Sequence, residues 1–219
     1  MAVDYAGSPH VIALVNQKGG VAKTTTAINL GAALGGKKSK VLLIDLDAQA
    51  NATMGLGIMP EQLDATVYEG LVTPRLPFAE VIVPSPAVGL YVAPAHLNLS
   101  GCEVELASDL ARPYILRNAL QKYLASLDGQ GYDYVLIDCP PSLGVLTLNG
   151  LLAANELLIP IEPKFYALAG MAMLNQLTAK IESQLGHHLE ILGVLITMFD
   201  SRTNLHSVVA DPVDRKSVV

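Results

Sequence analysis

The segment that most constrains this chain lies near its start. An apolar run at 11–15 opens into Asn16-Gln17-Lys18-Gly19-Gly20-Val21-Ala22-Lys23-Thr24-Thr25, then into the helix-patterned Thr26-Ala27-Ile28-Asn29-Leu30-Gly31-Ala32-Ala33-Leu34. Strand, glycine-containing loop, Lys-Thr and helix in that order form the layout of a phosphate cradle. Loop N–H groups and the helix N-terminus face the anion, a lysine reaches the β and γ oxygens, and a threonine hydroxyl takes Mg²⁺. The strict pattern G-x-x-x-x-G-K-[ST] fails, because Gln17 and Ala22 stand at its two glycines. The variant K-G-G-x-x-K-T fits, with a second lysine, Lys18, at the loop's start. If Ala22 adopts positive φ, alanine costs about 1–2 kcal/mol there. The other reading is a glycine-rich turn with solvated lysines.

Nearly continuous apolar runs at 11–15, 41–44, 90–93, 134–137, 157–161 and 191–197 predict strands buried on both faces. Helix spacing falls between them: Ile115, Ala119, Leu120, Tyr123 and Leu124 on one face, and Met171, Leu174, Leu177, Ile181 and Leu185 on another. Ser100 with Glu103 reads as a capping box opening a long helix. The alternation predicts an α/β domain, a mostly parallel twisted sheet with helices on both faces. Residues 1–10 read as an N-terminal extension and 11–219 as the domain. The stretch 74–86 reads as a loop or short connection.

Composition narrows the class. Hydrophobic residues make up 51% and charged residues 16%, which excludes a disordered chain. A mean hydropathy of +0.41 raises the question of a membrane. The longest uncharged stretches, however, are broken by Pro84, Pro86 and Pro94, and by Pro140, Pro141, Ser142 and Asn149. The start of the chain lacks a basic region leading into an apolar one, so no secretory signal is expected. Cys102 and Cys139 cannot build a disulfide scaffold, and a reducing compartment is the simpler reading. With a net charge of −6, any grip on nucleic acid must be a local patch. Lys37, Lys38 and Lys40, Arg112 and Arg117, Arg202, and Arg215 with Lys216 are the candidates; scattered solvated charges are the alternative.

Two acidic strand ends follow the loop. In Leu43-Ile44-Asp45-Leu46-Asp47-Ala48-Gln49-Ala50-Asn51-Ala52-Thr53, alternation within a strand puts Asp45 and Asp47 on the same side, at the carboxyl end of the second strand, where ligands bind in open α/β sheets. A carboxylate there can orient a water or hold a metal-bound one; a plain helix cap is the alternative. Tyr132-Asp133-Tyr134-Val135-Leu136-Ile137-Asp138-Cys139-Pro140-Pro141-Ser142 ends an apolar strand in Asp138, suited to Mg²⁺.

Taken together, these segments resemble the ParA/MinD family of P-loop ATPases, with its deviant Walker A loop, from about residue 11 to 204. The 45–53 segment is closer to ParA than to MinD, although Ala48 and Ala50 replace a usual proline and glycine. The resemblance implies a single P-loop NTPase domain that binds ATP or ADP and Mg²⁺. It places Lys18, Gly19, Gly20, Val21, Ala22, Lys23, Thr24, Thr25, Asp45 and Met198 around the nucleotide, and Thr24 and Asp138 on Mg²⁺. It makes Lys18, Lys23 and Asp47 catalytic, with Lys18 acting across an ATP-dependent homodimer and Asp45 and Thr53 in support of Asp47. It further implies non-specific DNA binding with Arg202 as a candidate contact, a ParB-type centromere-binding partner, no membrane, and a cytoplasmic, nucleoid-associated ATPase of chromosome or plasmid partition. An iron–sulfur cluster on the cysteines, as in the related nitrogenase iron protein, is disfavoured, and Cys139 reads as a small buried residue. Two alternatives are a MinD-like membrane-associated positioning ATPase and an inactive nucleotide-binding module. Beyond Asn204 the chain is short for this family, and Asp211–Val219 shows no amphipathic basic pattern.

Overall fold

The computed structural model describes residues 8–73, 75–128, 131–164, 167–200 and 202. In chain order the elements are β1 (His10–Leu14), α1 (Lys23–Gly36), β2 (Val41–Asp45), α2 (Asn51–Gly55), α3 (Val67–Val72), β3 (Val83–Pro84), β4 (Leu90–Ala93), α4 (Cys102–Glu105), α5 (Ile115–Ala125), β5 (Tyr134–Asp138), α6 (Val145–Ala153), β6 (Glu156–Ile161), α7 (Ala167–Leu185) and β7 (Glu190–Ile196). Every strand expected from an apolar run is present within a residue of its expected ends. The strands form one sheet in the order β3-β4-β2-β5-β1-β6-β7. Among the described residues all pairings are parallel except β3 with β4.

Residue alternation divides the core by face. Ile12, Leu14, Val41, Leu43, Leu90, Val92 and Leu136 pack with Ala27 of α1 and Ala52 of α2. Val11, Ala13, Leu42, Ile44, Val135, Ile137, Leu157 and Ile159 pack with Leu71 of α3, Leu116 and Leu120 of α5, Leu151 of α6, and Leu174 and Ile181 of α7. The sheet is thus covered on both sides, as the buried runs require. Leu177 is half-buried and Leu185 exposed, so α7 meets the sheet on a narrower stripe than its spacing suggests. Met171, also expected on that stripe, lies outside the residues whose side chains are described.

Local details correct the sequence reading in two places. The stretch 74–86 is not wholly a connection: it holds a 3₁₀ turn, Phe78–Val81, and the edge strand β3. The capping box expected at Ser100 does not open a long helix. Ser100 Oγ donates to the Leu97 carbonyl at 2.8 Å inside the 3₁₀ turn Leu97–Gly101, and α4 is a single short turn capped at Gly101. A capping box does form at Thr66, whose N–H donates to Glu69 Oε2 at 2.8 Å while its hydroxyl accepts from the Tyr68 N–H. The long helix α5 is anchored by tertiary contact instead, with Asn149 Oδ1 accepting the Leu116 N–H at 3.0 Å.

Beyond β5, Gly150 of α6 sits where a Cβ would lie 2.7 Å from Cys139 Sγ and 3.1 Å from Leu46 Cδ1. Only glycine lets α6 come this close to the strand carrying Asp138. Both cysteines are buried, and burial pushes the Cys139 thiol up and that of Cys102 up to about 12.

Candidate functional site

β1 lies between β5 and β6, where chain crossings diverge, and its carboxyl end opens into the loop 15–22. Open α/β sheets bind ligands at this kind of crevice. The loop is held at both ends by groups the sequence reading did not single out. Asn16 Nδ2 donates to the Pro160 carbonyl of β6 at 2.8 Å, and Asn16 Oδ1 accepts the Lys18 N–H at 3.0 Å. On the other side, the Thr197 hydroxyl shares its proton between the carbonyls of Val21, at 3.1 Å, and Ile161, at 3.0 Å.

Between these clamps Gly20 has φ 74° and Ala22 φ 63°. Left-handed positions such as these are what backbone anion nests are built from. Ala22 is the N-cap of α1, without a side-chain hydrogen bond, so the first N–H groups of the helix are open to an anion. Gly19, Gly20 and Thr25 are exposed, Val21 is buried, and Thr24 is half-buried at the helix start. Lys23 is 7% exposed, and its Nζ approaches the Lys18 carbonyl at 3.4 Å. Burial lowers its pKa against the opposing pull of Asp138 and Asp47.

Asp45 and Asp138 are register partners on adjacent parallel strands, at the carboxyl end beside the loop. Their surroundings differ. Asp45, expected to contact nucleotide, has both oxygens occupied: Oδ1 accepts the Asp47 N–H at 3.1 Å, and Oδ2 accepts the Thr53 N–H and hydroxyl at 2.9 and 2.8 Å. It is fully buried, and burial raises its pKa to about 6. Asp45 therefore anchors the following turn.

β2 ends at Asp45, so strand alternation does not place Asp47. Its position follows from that anchor and from its own Oδ1, which accepts the Gln49 N–H at 3.0 Å. The turn closes into α2 at Ala50, whose φ of 51° supplies the left-handed cap in place of glycine.

Asp138 is 1% exposed, and neither carboxylate oxygen has a hydrogen-bond partner. Burial raises its pKa to about 7; the Thr24 hydroxyl and Lys23 pull the other way. A buried carboxylate of this kind, beside a threonine hydroxyl and a glycine-containing loop at a helix start, would suit a divalent cation.

Lys18 lies at the rim of a cavity of about 380 Å³ lined by Asn16, Gln17, Val21, Glu162 and Lys164. Its Nζ donates to Glu162 Oε2 at 2.7 Å. Met198, in left-handed conformation at φ 53° and exposed, follows the Thr197 clamp and so stands near the loop. Arg202 is bound by its own neighbour: Nε and a terminal nitrogen donate to the two oxygens of Asp200 at 2.9 and 2.8 Å. Lys37, Lys38 and Lys40 precede β2 at the opposite end of the sheet, so the structure does not gather them with Arg202. Arg215, Lys216 and the expected C-terminal shortness fall outside the described residues. Among the described residues no helix is long and apolar enough to cross a membrane.

Loop, orphaned carboxylate and sheet order define a P-loop nucleotide-binding domain, and a family model described as an AAA domain matches residues 9–191. The chromosome partitioning protein ParA of Myxococcus xanthus is 46% identical over 208 residues, 94% of this chain and 71% of that protein. The sporulation initiation inhibitor protein Soj of Bacillus subtilis is 42% identical over 205 residues, 94% of this chain and 79% of that one. Among solved structures, cobyrinic acid a,c-diamide synthase from Mycobacterium smegmatis with bound ADP and magnesium superposes with a TM-score of 0.85 at 39% identity, covering 96% of this chain and 83% of that one. The chain belongs to the ParA/Soj family of P-loop partition ATPases.

Proposed function

We propose that this chain binds Mg-ATP on the loop at Gly19–Thr25, pairs with a second copy, grips DNA without sequence preference and hydrolyses ATP to drive chromosome or plasmid partition with a ParB-type partner. The observation that carries this reading is Asp138: a buried carboxylate whose oxygens close no hydrogen bond of normal geometry, with the Thr24 hydroxyl and the Lys23 ammonium both acting on it. When bound, Mg²⁺ supplies charge neutralisation to the β and γ oxygens.

The residues of the chain do the rest. N–H groups between Gly19 and Thr25 hold the phosphates, Lys23 offsets charge on the transferring phosphoryl group, and Thr24 and Asp138 hold the cation. Asp47, half-buried and within electrostatic reach of Lys23, orients the attacking water. Lys18 acts across the pair on the nucleotide of the second copy. Hydrolysis then dissolves the dimer and releases the DNA.

The test is Asp47→Ala followed by sedimentation and phosphate-release assays. A stable ATP-loaded dimer with turnover reduced at least about a hundredfold is expected for loss of a group that positions water. Wild-type turnover would remove Asp47 from this role. The name of the M. smegmatis structure favours a second reading, ATP-dependent amidation of a carboxylate. Phosphate release stimulated by DNA and a ParB-type protein supports partition; release dependent on a carboxylic acid and ammonia supports amidation.

A further inference from the structure

Glu162 receives a lysine on each carboxylate oxygen: Lys18 Nζ on Oε2 at 2.7 Å and Lys164 Nζ on Oε1 at 2.5 Å. The two ammonium groups, Lys164 first, hold this carboxyl below its ordinary range. The backbones on both sides are pinned. Lys18 N–H is bound by Asn16, and Ile161, next to Glu162, shares the Thr197 hydroxyl with Val21. What remains free is the Lys18 side chain, about half exposed at 48%, against a Glu162 side chain at 13%.

In this contact the Lys18 ammonium is held by its own subunit, so reaching the phosphoryl oxygens of a nucleotide in another subunit competes with it. We propose that Glu162 is a positioning residue that parks Lys18 in the unpaired subunit, so that nucleotide-driven pairing must break the Lys18–Glu162 contact. Lys164 tunes the break: it stays on the carboxylate when Lys18 leaves, so no half-buried charge is orphaned. This inference rests on the trans role of Lys18 proposed above.

A partly exposed ion pair changes an equilibrium by about two- to fivefold. Because each dimer opens two such contacts, the dimer dissociation constant shifts by the square, about four- to twenty-fivefold. Glu162→Gln lowers it and Lys164→Gln raises it. A merely structural defect would not strengthen pairing in one variant and weaken it in its neighbour.

The experiment has two arms on the full chain. In nucleotide-free protein, acetylation of Lys18 by limiting acetic anhydride is followed by peptide mass spectrometry. The rate rises about two- to fivefold in Glu162→Gln, falls in Lys164→Gln, and returns toward wild type in Glu162→Asp. Equal rates in all four proteins overturn the parking contact, whatever the dimer does. In the second arm, sedimentation velocity with Mg²⁺ and a non-hydrolysable ATP analogue gives the pairing threshold. Opposite shifts for the two Gln variants support the proposal, and unchanged thresholds overturn it. A wild-type chain that stays monomeric with the analogue overturns the trans role of Lys18 and, with it, the link between parking and pairing, even where the labelling arm behaves as expected.

Discussion

Thr53 closes both its N–H and its hydroxyl onto one oxygen of Asp45, at 2.9 and 2.8 Å, while its Oγ1 accepts the Ala95 N–H at 2.9 Å. This buried residue joins the ends of β2 and β4 to the turn that carries Asp47. Thr53→Val keeps the shape, removes a charge-assisted hydrogen bond and leaves the Ala95 N–H unpaired. A loss of about 2–3 kcal/mol in urea unfolding is expected, with Thr53→Ser losing less because it keeps the hydroxyl. Equal losses for the two variants would show that the methyl group, not the hydroxyl, is what matters.

Asp45 and Asp138 make the metal-free protein sensitive to pH. Burial raises their pKa values to about 6 and about 7 from an ordinary 3.8. A carboxyl raised in the folded state holds its proton more tightly there than in the unfolded chain. Its stabilising contribution is complete below 3.8 and is lost as pH rises through about 6 and then about 7. In EDTA, Asp138→Asn should flatten this decline and raise stability at neutral pH by on the order of 2 kcal/mol. Thermal melts across the pH range check it; a slope unchanged from wild type would assign the decline to other groups.

What the sequence made legible was local. The loop, the acidic strand ends and the buried strands each lie within a dozen consecutive residues, and their periodicity or order is enough to place them. The partners that hold the loop were not legible. Asn16 finds Pro160, Thr197 finds Val21, and Lys18 finds Glu162 only because β6 and β7 pair beside β1. A threonine ending one apolar run gives no sign that it clamps a loop so far away in the chain. Ser100 misled for a related reason: its hydroxyl turned back to the preceding 3₁₀ carbonyl, a competition open to any serine near a helix start. Asp45 is legible as a strand-end acid, but the role it plays depends on Thr53 folding back onto it.

Ala22 and Ala50 are N-caps held at φ 63° and 51°, on the loop and on the turn beyond Asp47. Alanine in this region costs about 1–2 kcal/mol, part of which glycine returns as entropy of the unfolded chain. Ala22→Gly and Ala50→Gly should each stabilise the chain by about 0.5–1 kcal/mol, and nearly additively. Urea denaturation of the single and double variants measures this. Destabilisation by either would mean that the methyl group makes contacts worth more than the strain.

Gly150 and Cys139 set how closely α6 approaches β5. A Cβ on Gly150 would meet Cys139 Sγ at 2.7 Å and Leu46 Cδ1 at 3.1 Å, and both neighbours are buried. Gly150→Ala must therefore shift either the helix or the strand that ends in Asp138, and overpacking of this kind costs about 1–3 kcal/mol. Cys139→Ala removes the sulfur and opens the space the new methyl needs. The double variant should recover at least about 1 kcal/mol relative to the sum of the single changes, a coupling that a double-mutant cycle in urea reads directly. Mg²⁺-dependent nucleotide affinity gives a second readout: it should weaken in Gly150→Ala and recover in the double variant, because Asp138 immediately precedes Cys139 in the chain. Strict additivity in both measurements would mean that α6 relaxes away without moving the acidic strand end.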